Sequence, residues 1–363
     1  MRPSKLKELQ RLVEQLCWLE RLSGTSSHRK ALKVITSFLS EKGFKYRLEH
    51  FSCHKLIPVS GRLKANGKKL ELLPFVGSPP VELKAELTTD LSAVKDKIAL
   101  LPYGGKRDEE KAEELKRRGA LAALSYLKSP GVPYAGTVGK TSFPFASGPR
   151  DELLALAGKT VELRIKSKEK EIKGTNVVVE FGRGPYLILL AHYDTKPFVC
   201  GAVDNCVSVA LLLLLLEDLR EFYELPMRVR AVFTDCEELG LEGARFHAGR
   251  SKNVLYAVNL DGLGGSHPAV IYRDYHGPNG PVVNEKFYRH LLETKTEIPF
   301  VESSTASSDH APFKEKGVET LFLSSHPYPL RHTRLDDPHA VDWEAVKLWF
   351  ELLAFFLRRL HRL

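Results

Sequence analysis

Four strand-length apolar runs alternate with helical stretches through the second half of the chain: PYLILLAH (Pro185–His192), MRVRAVFT (Met227–Thr234), LYAVNL (Leu255–Leu260) and ETLFLSS (Glu319–Ser325). Runs this apolar leave little for a solvent-facing side, and their separation by helices predicts mostly parallel strands covered on both faces. The intervening helices are the apolar stretch after Asn205, a segment near Leu241–Gly249, and a C-terminal helix, WEAVKLWFELLAFFLRRL, which Asp342 can cap. The expected fold class is α/β, a mostly parallel central sheet flanked by helices on both faces.

Upstream, Ser4–Leu22 and Ser26–Lys42 read as helices, the second stopped by Gly43, and KYRLEHF reads as a strand. From about Cys53 to Lys166 the texture changes to short strands rich in Gly and Pro, with one strand–helix–strand unit in which KIALLPYGG and GALAALSY flank a charged helix. The expectation is a discontinuous main domain, 1–52 and 167–363, interrupted by a smaller β-rich domain at 53–166.

With 43% hydrophobic and 27% charged residues among 363, the chain has the composition of a soluble globular protein. The net charge of +9 raises nucleic acid as a partner, but charged stretches such as Lys106–Arg118 mix both signs where a binding stripe concentrates one, so no nucleic-acid partner is expected. No membrane association is expected either. The longest apolar run, Cys206–Leu216, is shorter than the roughly 20 residues a spanning helix needs and is closed by Glu217 and Asp218. At the N-terminus Glu8, Glu14, Glu20 and Arg21 interrupt what would be an apolar signal core, which favours an amphipathic helix retained on a cytoplasmic protein. Five scattered cysteines (Cys17, Cys53, Cys200, Cys206, Cys236) suit reduced thiols better than a disulfide framework.

Ionisable residues gather where the apolar runs end. His192 closes the first run and Asp194 follows it; Asp235, Glu237 and Glu238 follow the second; Asp261 follows the third; His332 follows the fourth by a few residues; Asp204 lies in the loop after His192. In an open α/β sheet ligands bind at the carboxyl ends of strands, so these groups should converge on one crevice. Carboxylates crowded together without a counter-charge raise one another's pKa, a conflict that a pair of divalent cations removes. Zinc takes imidazole nitrogen and carboxylate oxygen, and two histidines with three carboxylates, one bridging, suffice for two ions. Asp194, two residues after His192, is placed to orient its imidazole.

In this order the motifs AHYDT (Ala191–Thr195), GAVDN (Gly201–Asn205), FTDCEELGLEGA (Phe233–Ala244), NLDG (Asn259–Gly262), SSDHAPF (Ser307–Phe313) and HTRLD (His332–Asp336) resemble the co-catalytic di-zinc aminopeptidases, the exopeptidase family that also contains glutamate carboxypeptidase. The resemblance is loose over Met1–His50 and good from Thr175 onward. It implies a metal-dependent exopeptidase, most simply an aminopeptidase acting on peptide substrates. Two zinc ions per chain are implied, with cobalt and manganese as alternatives. His192 and Asp261 would hold one ion, Glu238 and His332 the other, and Asp204 both; Glu237 would be the general base, and Asp204-Asn205 would be a cis peptide. Val203 stands where the family often has Asp, which bears on the surroundings of the metals more than on their ligands. The segment 53–166 resembles a protease-associated domain in KIALLPYGG and GALAALSY.

For substrate binding, Tyr328 or His310 could donate to a tetrahedral oxygen, with a pocket-wall role for Tyr328 and a packing role for His310 as the alternatives. A carboxypeptidase or dipeptidase would need a cation for the substrate carboxylate, for which Arg273 and Arg331 are the candidates. A non-catalytic scaffold is the remoter alternative, since every ligand position is filled. Self-association into a homo-oligomer is left open. Cys200 and Cys206, which flank Asp204, are expected as reduced thiols, and Cys236 as a residue packed on the sheet.

Overall fold

The computed structural model describes residues 1–65, 67–139, 141–220, 227–274, 289, 293, 297–303 and 305–358. The chain opens with helices α1 (Pro3–Cys17) and α2 (Ser26–Glu41), the latter capped by Thr25, whose side chain accepts from the His28 N–H. There follow β1 (Tyr46–Ala65), β2 (Lys68–Pro74), β3 (Val81–Thr88), β4 (Ile98–Pro102), α3 (Asp108–Arg117), β5 (Ala122–Tyr126), β6 (Phe145–Ser147), α4 (Arg150–Leu154) and β7 (Thr160–Phe181). The second half supplies β8 (Tyr186–His192), α5 (Val207–Arg220), β9 (Arg228–Thr234), α6 (Glu242–Arg250), β10 (Val254–Leu260), β11 (Pro268–Arg273), β12 (Phe300–Glu302), α7 (Ala311–Lys314), β13 (Glu319–Ser325) and α8 (Trp343–Arg358). Asp342 caps α8, accepting from the Glu344 and Ala345 N–H groups at 3.0 and 3.2 Å.

Leu187 and Leu189 of β8 face one apolar core while Ile188 and Leu190 face another, the two-residue period of a strand buried on both sides. The first core is closed by α1, α2, α5 and α8, the second by α6 and α7. At the centre β9, β8, β10 and β13 run parallel, in that order. β7 flanks them antiparallel on the β9 side and β11 antiparallel on the β13 side. The fold is α/β, its sheet parallel at the centre and flanked by helices on both faces. No helix among the described residues is long and apolar enough to cross a membrane.

The chain positions 52/53 and 166/167 fall inside strands. β1 and β7 form one antiparallel ribbon from Tyr46 opposite Val179 to Lys64 opposite Glu162, with a single irregularity at Pro58/Ser60. What changes along the ribbon is the core it faces: Val177 and Val179 pack in the main core, Leu63, Leu163 and Ile165 in a separate one with Leu72, Leu87, Ile98, Leu100 and Leu124. A further cluster, around Phe75, Leu101, Leu115 and Phe145, lies on the other face of β4, β5 and β6.

Two expectations are corrected. α1 ends at Cys17, not Leu22, because Arg21 turns into the interior and donates to the carbonyls of Leu16, Tyr193, Cys200 and Gly201 at 2.8–3.0 Å. Cys17 and Cys200 are not reduced thiols but a disulfide, their Cα atoms 5.3 Å apart across 183 residues of sequence. A separation of that length hides the pairing from spacing arguments. Cys53, Cys206 and Cys236 are free.

Candidate metal centre

The sheet topology brings the ends of β8, β9, β10 and β13 side by side, and the side chains that follow them meet. His192 is the last residue of β8. The chain then loops to Gly201, whose left-handed φ of 65° places it so close to the following turn that a Cβ would lie 2.2 Å from the Asp204 carbonyl oxygen. Asp204-Asn205 is a cis peptide. Cys236 and His332, on the loops after β9 and β13, also take left-handed backbone, φ 58° and 61°, which non-glycine residues adopt only where their surroundings impose it.

His192 Nε2 lies 3.1 Å from Asp204 Oδ1 and 3.8 Å from Asp261 Oδ1, while His332 Nε2 lies 3.2 Å from Asp204 Oδ2 and 3.3 Å from Glu238 Oε1. Two triads result, His192–Asp204–Asp261 and His332–Asp204–Glu238, each with its donor atoms within 4.8 Å of one another, and the two histidines face different oxygens of Asp204. His192 Nε2, Asp204 Oδ1 and Glu238 Oε1 are buried and make no hydrogen bond. Burying such atoms without a partner is costly, and their convergence fits cations bound between them. The donor set, imidazole nitrogen and carboxylate oxygen, is the one zinc takes.

Electrostatics follow from the crowding. Burial raises the Asp204 carboxyl, but Arg331, His192 and His332 outweigh it and hold the group well below the usual carboxylate range. For Glu238 burial likewise opposes ionisation, yet Lys196 and His332 bring it down to about 2. Glu237 behaves oppositely: burial pushes its carboxyl well above the ordinary value, with His192 opposing and Glu238 and Asp309 adding to the rise.

Neighbouring loops hold these groups through backbone atoms. The Asp194 carboxylate accepts from the N–H groups of Glu237 and Glu238 at 3.0 and 3.1 Å. The His192 imidazole meets the Asp194 carbonyl oxygen at 3.2 Å, with the carboxylate farther off at 3.7 Å, so Asp194 touches it chiefly through its main chain. Asp336 accepts from the N–H groups of Val203 and Asp204 at 2.8 and 3.1 Å, which ties the loop of His332 to the loop of Asp204. Asn205 brackets Asp261, donating to the Leu260 carbonyl at 2.9 Å and accepting from the Gly262 N–H at 3.1 Å. Arg21, Asp336, Asn205 and Lys196 are not among the site residues expected from the sequence. Asp336 and Asn205 lie inside quoted motifs, but a grip on backbone atoms leaves no pattern of residue types to find.

The substrate-binding candidates separate. Arg331 joins the cluster, its Nη1 3.1 Å from Asp261 Oδ1 and 3.5 Å from Asp204 Oδ2, and its Nη2 donating to Ser324 Oγ at 3.3 Å. Arg273 ends β11 on the surface, where it lies over Tyr272 and 3.6 Å from Glu302. Tyr328 donates its hydroxyl proton to Asp336 Oδ1 at 2.9 Å. His310 is fully buried, stacked on Phe322 and hydrogen-bonded to Asp274. Val203 is buried in the main core, so the position that often carries a carboxylate is apolar here.

Comparison with known proteins bears on the same half of the chain. The family model described as Peptidase family M28 matches residues 176–357. Aminopeptidase YwaD of Bacillus subtilis is 25% identical over 88% of this chain and 75% of its own length. The vacuolar membrane protease of Vanderwaltozyma polyspora is 37% identical over 47% of this chain, which corresponds to 19% of that much longer protein. Among solved structures, a zinc aminopeptidase from Bacillus subtilis superposes with a TM-score of 0.78 at 22% identity, over 98% of this chain and 95% of that one. A glutaminyl cyclase from Bacteroides thetaiotaomicron gives 0.58 at 13% identity, over 98% and 97%. At such identities these structures speak to the shared fold.

Proposed function

The chain belongs to peptidase family M28, and from that premise we propose that it is an aminopeptidase that removes the N-terminal residue of peptides with two zinc ions per chain. The observation that carries this is the pair of donor triads sharing Asp204, with the buried Glu237 beside them. His192 and Asp261 would hold one ion, His332 and Glu238 the other, and Asp204 both. Zinc so held supplies Lewis acidity toward the scissile carbonyl and lowers the pKa of a bound water.

Glu237 does the proton work. Its carboxylate takes the proton of the attacking water and returns it to the departing amine, a task that its place beside both triads without belonging to either leaves it free to do. Asp194 fixes where that carboxyl starts from, since it holds the backbone of both glutamates. A carboxypeptidase or dipeptidase would use Arg331 to clamp a substrate carboxylate. Its guanidinium is already engaged with Asp261, Asp204 and Ser324, which favours recognition of the substrate amine instead.

The test is to incubate zinc-loaded protein with an unblocked peptide and its N-acetylated twin and follow both ends by mass spectrometry. Loss of the first residue from the unblocked peptide alone is expected. Trimming of both from the C-terminus, or cleavage of neither, overturns the proposal.

A further inference from the structure

The two oxygens of Glu238 do different things. Oε1 faces His332 Nε2 at 3.3 Å and makes no hydrogen bond, whereas Oε2 is taken by Lys196 Nζ at 2.9 Å. Lys196 is buried, 6% exposed, and its ammonium also donates to the Glu238 carbonyl oxygen at 2.6 Å and to Thr137 Oγ1 at 2.9 Å. An ammonium has three N–H donors, and these three acceptors account for them. Lys196 therefore grips Glu238 by both its carboxylate and its main chain, and is itself aimed by Thr137.

Thr137 comes from the segment 53–166. The stretch around it is held by its own segment on one side, with Val76 N–H donating to the Gly136 carbonyl and Val138 N–H donating to the Val76 carbonyl, both at 2.9 Å. On the other side it reaches the crevice a second time: Ala135 N–H donates to the His332 carbonyl at 2.8 Å, and Tyr134 pairs with Thr333 in an antiparallel bridge. The stretch packs closely on its own segment. A Cβ at Gly136 would lie 2.6 Å from the Phe75 ring and 2.7 Å from Asp108 Oδ2. Both residues that belong to the second triad alone, Glu238 and His332, are thus supported from residues 134–138. The first triad takes its support from Asn205 and the Asp194 main chain, outside that segment.

We propose that Lys196 is a positioning residue that keeps Oε2 of Glu238 turned away from the metal, and that Thr137 makes the segment 53–166 a working part of the second metal position. The inference rests on the two-metal reading of the site. A neighbour that orients a metal ligand is worth about 10- to 100-fold in metal affinity when removed.

The experiment is a titration of the metal-stripped, full-length protein with Co²⁺, followed by equilibrium dialysis and by the visible d–d band of the bound ion. The variants are Lys196→Met, Thr137→Val and Thr137→Ser. The wild type is expected to take two cobalt ions. Lys196→Met should bind the first as the wild type does and the second about 10- to 100-fold more weakly. The band of the second ion should change in intensity, because the freed Oε2 can turn to it. Thr137→Val, which changes neither charge nor size, should move both readouts the same way by less, and keeps the test alive if Lys196→Met fails to fold. Thr137→Ser should restore wild-type behaviour. Second-site affinity and band unchanged in both Lys196→Met and Thr137→Val would overturn the inference, as would equal weakening of both ions. A wild type that takes fewer than two ions would overturn the two-metal reading itself, and this inference with it.

Discussion

In the crevice beyond β8, β9, β10 and β13 the side chains of His192, Asp204, Glu238, Asp261 and His332 converge around the two oxygens of Asp204, whereas toward the other end of β9 a second charged group pairs in alternation. There His247 Nδ1 meets Glu49 Oε2 at 2.7 Å, Arg230 Nε meets Glu180 Oε1 at 2.7 Å, and Arg47 lies 2.9 Å from Glu49 and 3.3 Å from Glu180. Arg230 also lies over the Tyr186 ring at 3.8 Å. In the second group opposite charges alternate and each finds its partner within the chain. In the first, carboxylates and imidazoles present lone pairs to a common centre, where Arg331 and Lys196 supply part of the balancing charge from the rim and bound cations would supply the rest. That difference is the one expected between a structural ion network and a site that takes cations.

The contrast breaks most completely at Asp204, the one side chain common to both triads. Asp204→Asn is expected to lose metal binding and with it all measurable peptidase activity. Chelation should do the same to the wild type, with activity returning on zinc addition to the wild type alone. Glu237→Gln sharpens the contrast from within the crevice. It should retain metal, because Glu237 belongs to neither triad, and lose roughly 10²- to 10⁴-fold in turnover, the range for removing a general base. Near-normal turnover with metal bound would mean that another group takes the proton.

The smallest effect is expected in the other cluster. Glu49→Gln should cost about 1–3 kcal/mol of stability by removing the charge that His247 and Arg47 face, with metal content and activity unchanged. Burial raises the Glu49 carboxyl, but His247 and Arg47 outweigh it and leave it below its ordinary value of 4.5. A carboxyl depressed in the folded state contributes stability above its unfolded pKa and loses it as pH falls through the folded one. The gap in melting temperature between wild type and Glu49→Gln should therefore be full at neutral pH and shrink below pH 4.5.

The parallel strands were legible in the sequence as apolar runs, and the polar residues after them as a crevice that an open sheet gathers, while the grouping of Asp204 and His332 with them, deep in their loops, came from the resemblance of the motifs. What holds these residues in place was not legible. Asp336 and Asn205 act on backbone N–H and carbonyl groups, contacts that any residue type can accept. Arg331 and Arg273 carry the same charge, and only the path of the chain puts one beside Asp261 and the other on the surface beside Glu302. Cys17 and Cys200, and likewise Thr137 and Lys196, meet through packing of segments far apart in the chain, so neither pair leaves a local signal. The ribbon of β1 and β7 shows the same limit in the fold. The texture of the sequence changes near Cys53 and Lys166, while the strands themselves run straight through both positions.

The central claim is that two cations complete the crevice, and zinc stoichiometry tests it most directly. Metal-stripped wild type, Glu49→Gln and His332→Ala, dialysed to equilibrium against zinc and analysed for metal and protein, should give two ions per chain for the first two and one for the last. A single zinc in the wild type, or a count in His332→Ala equal to that of the wild type, would contradict the account.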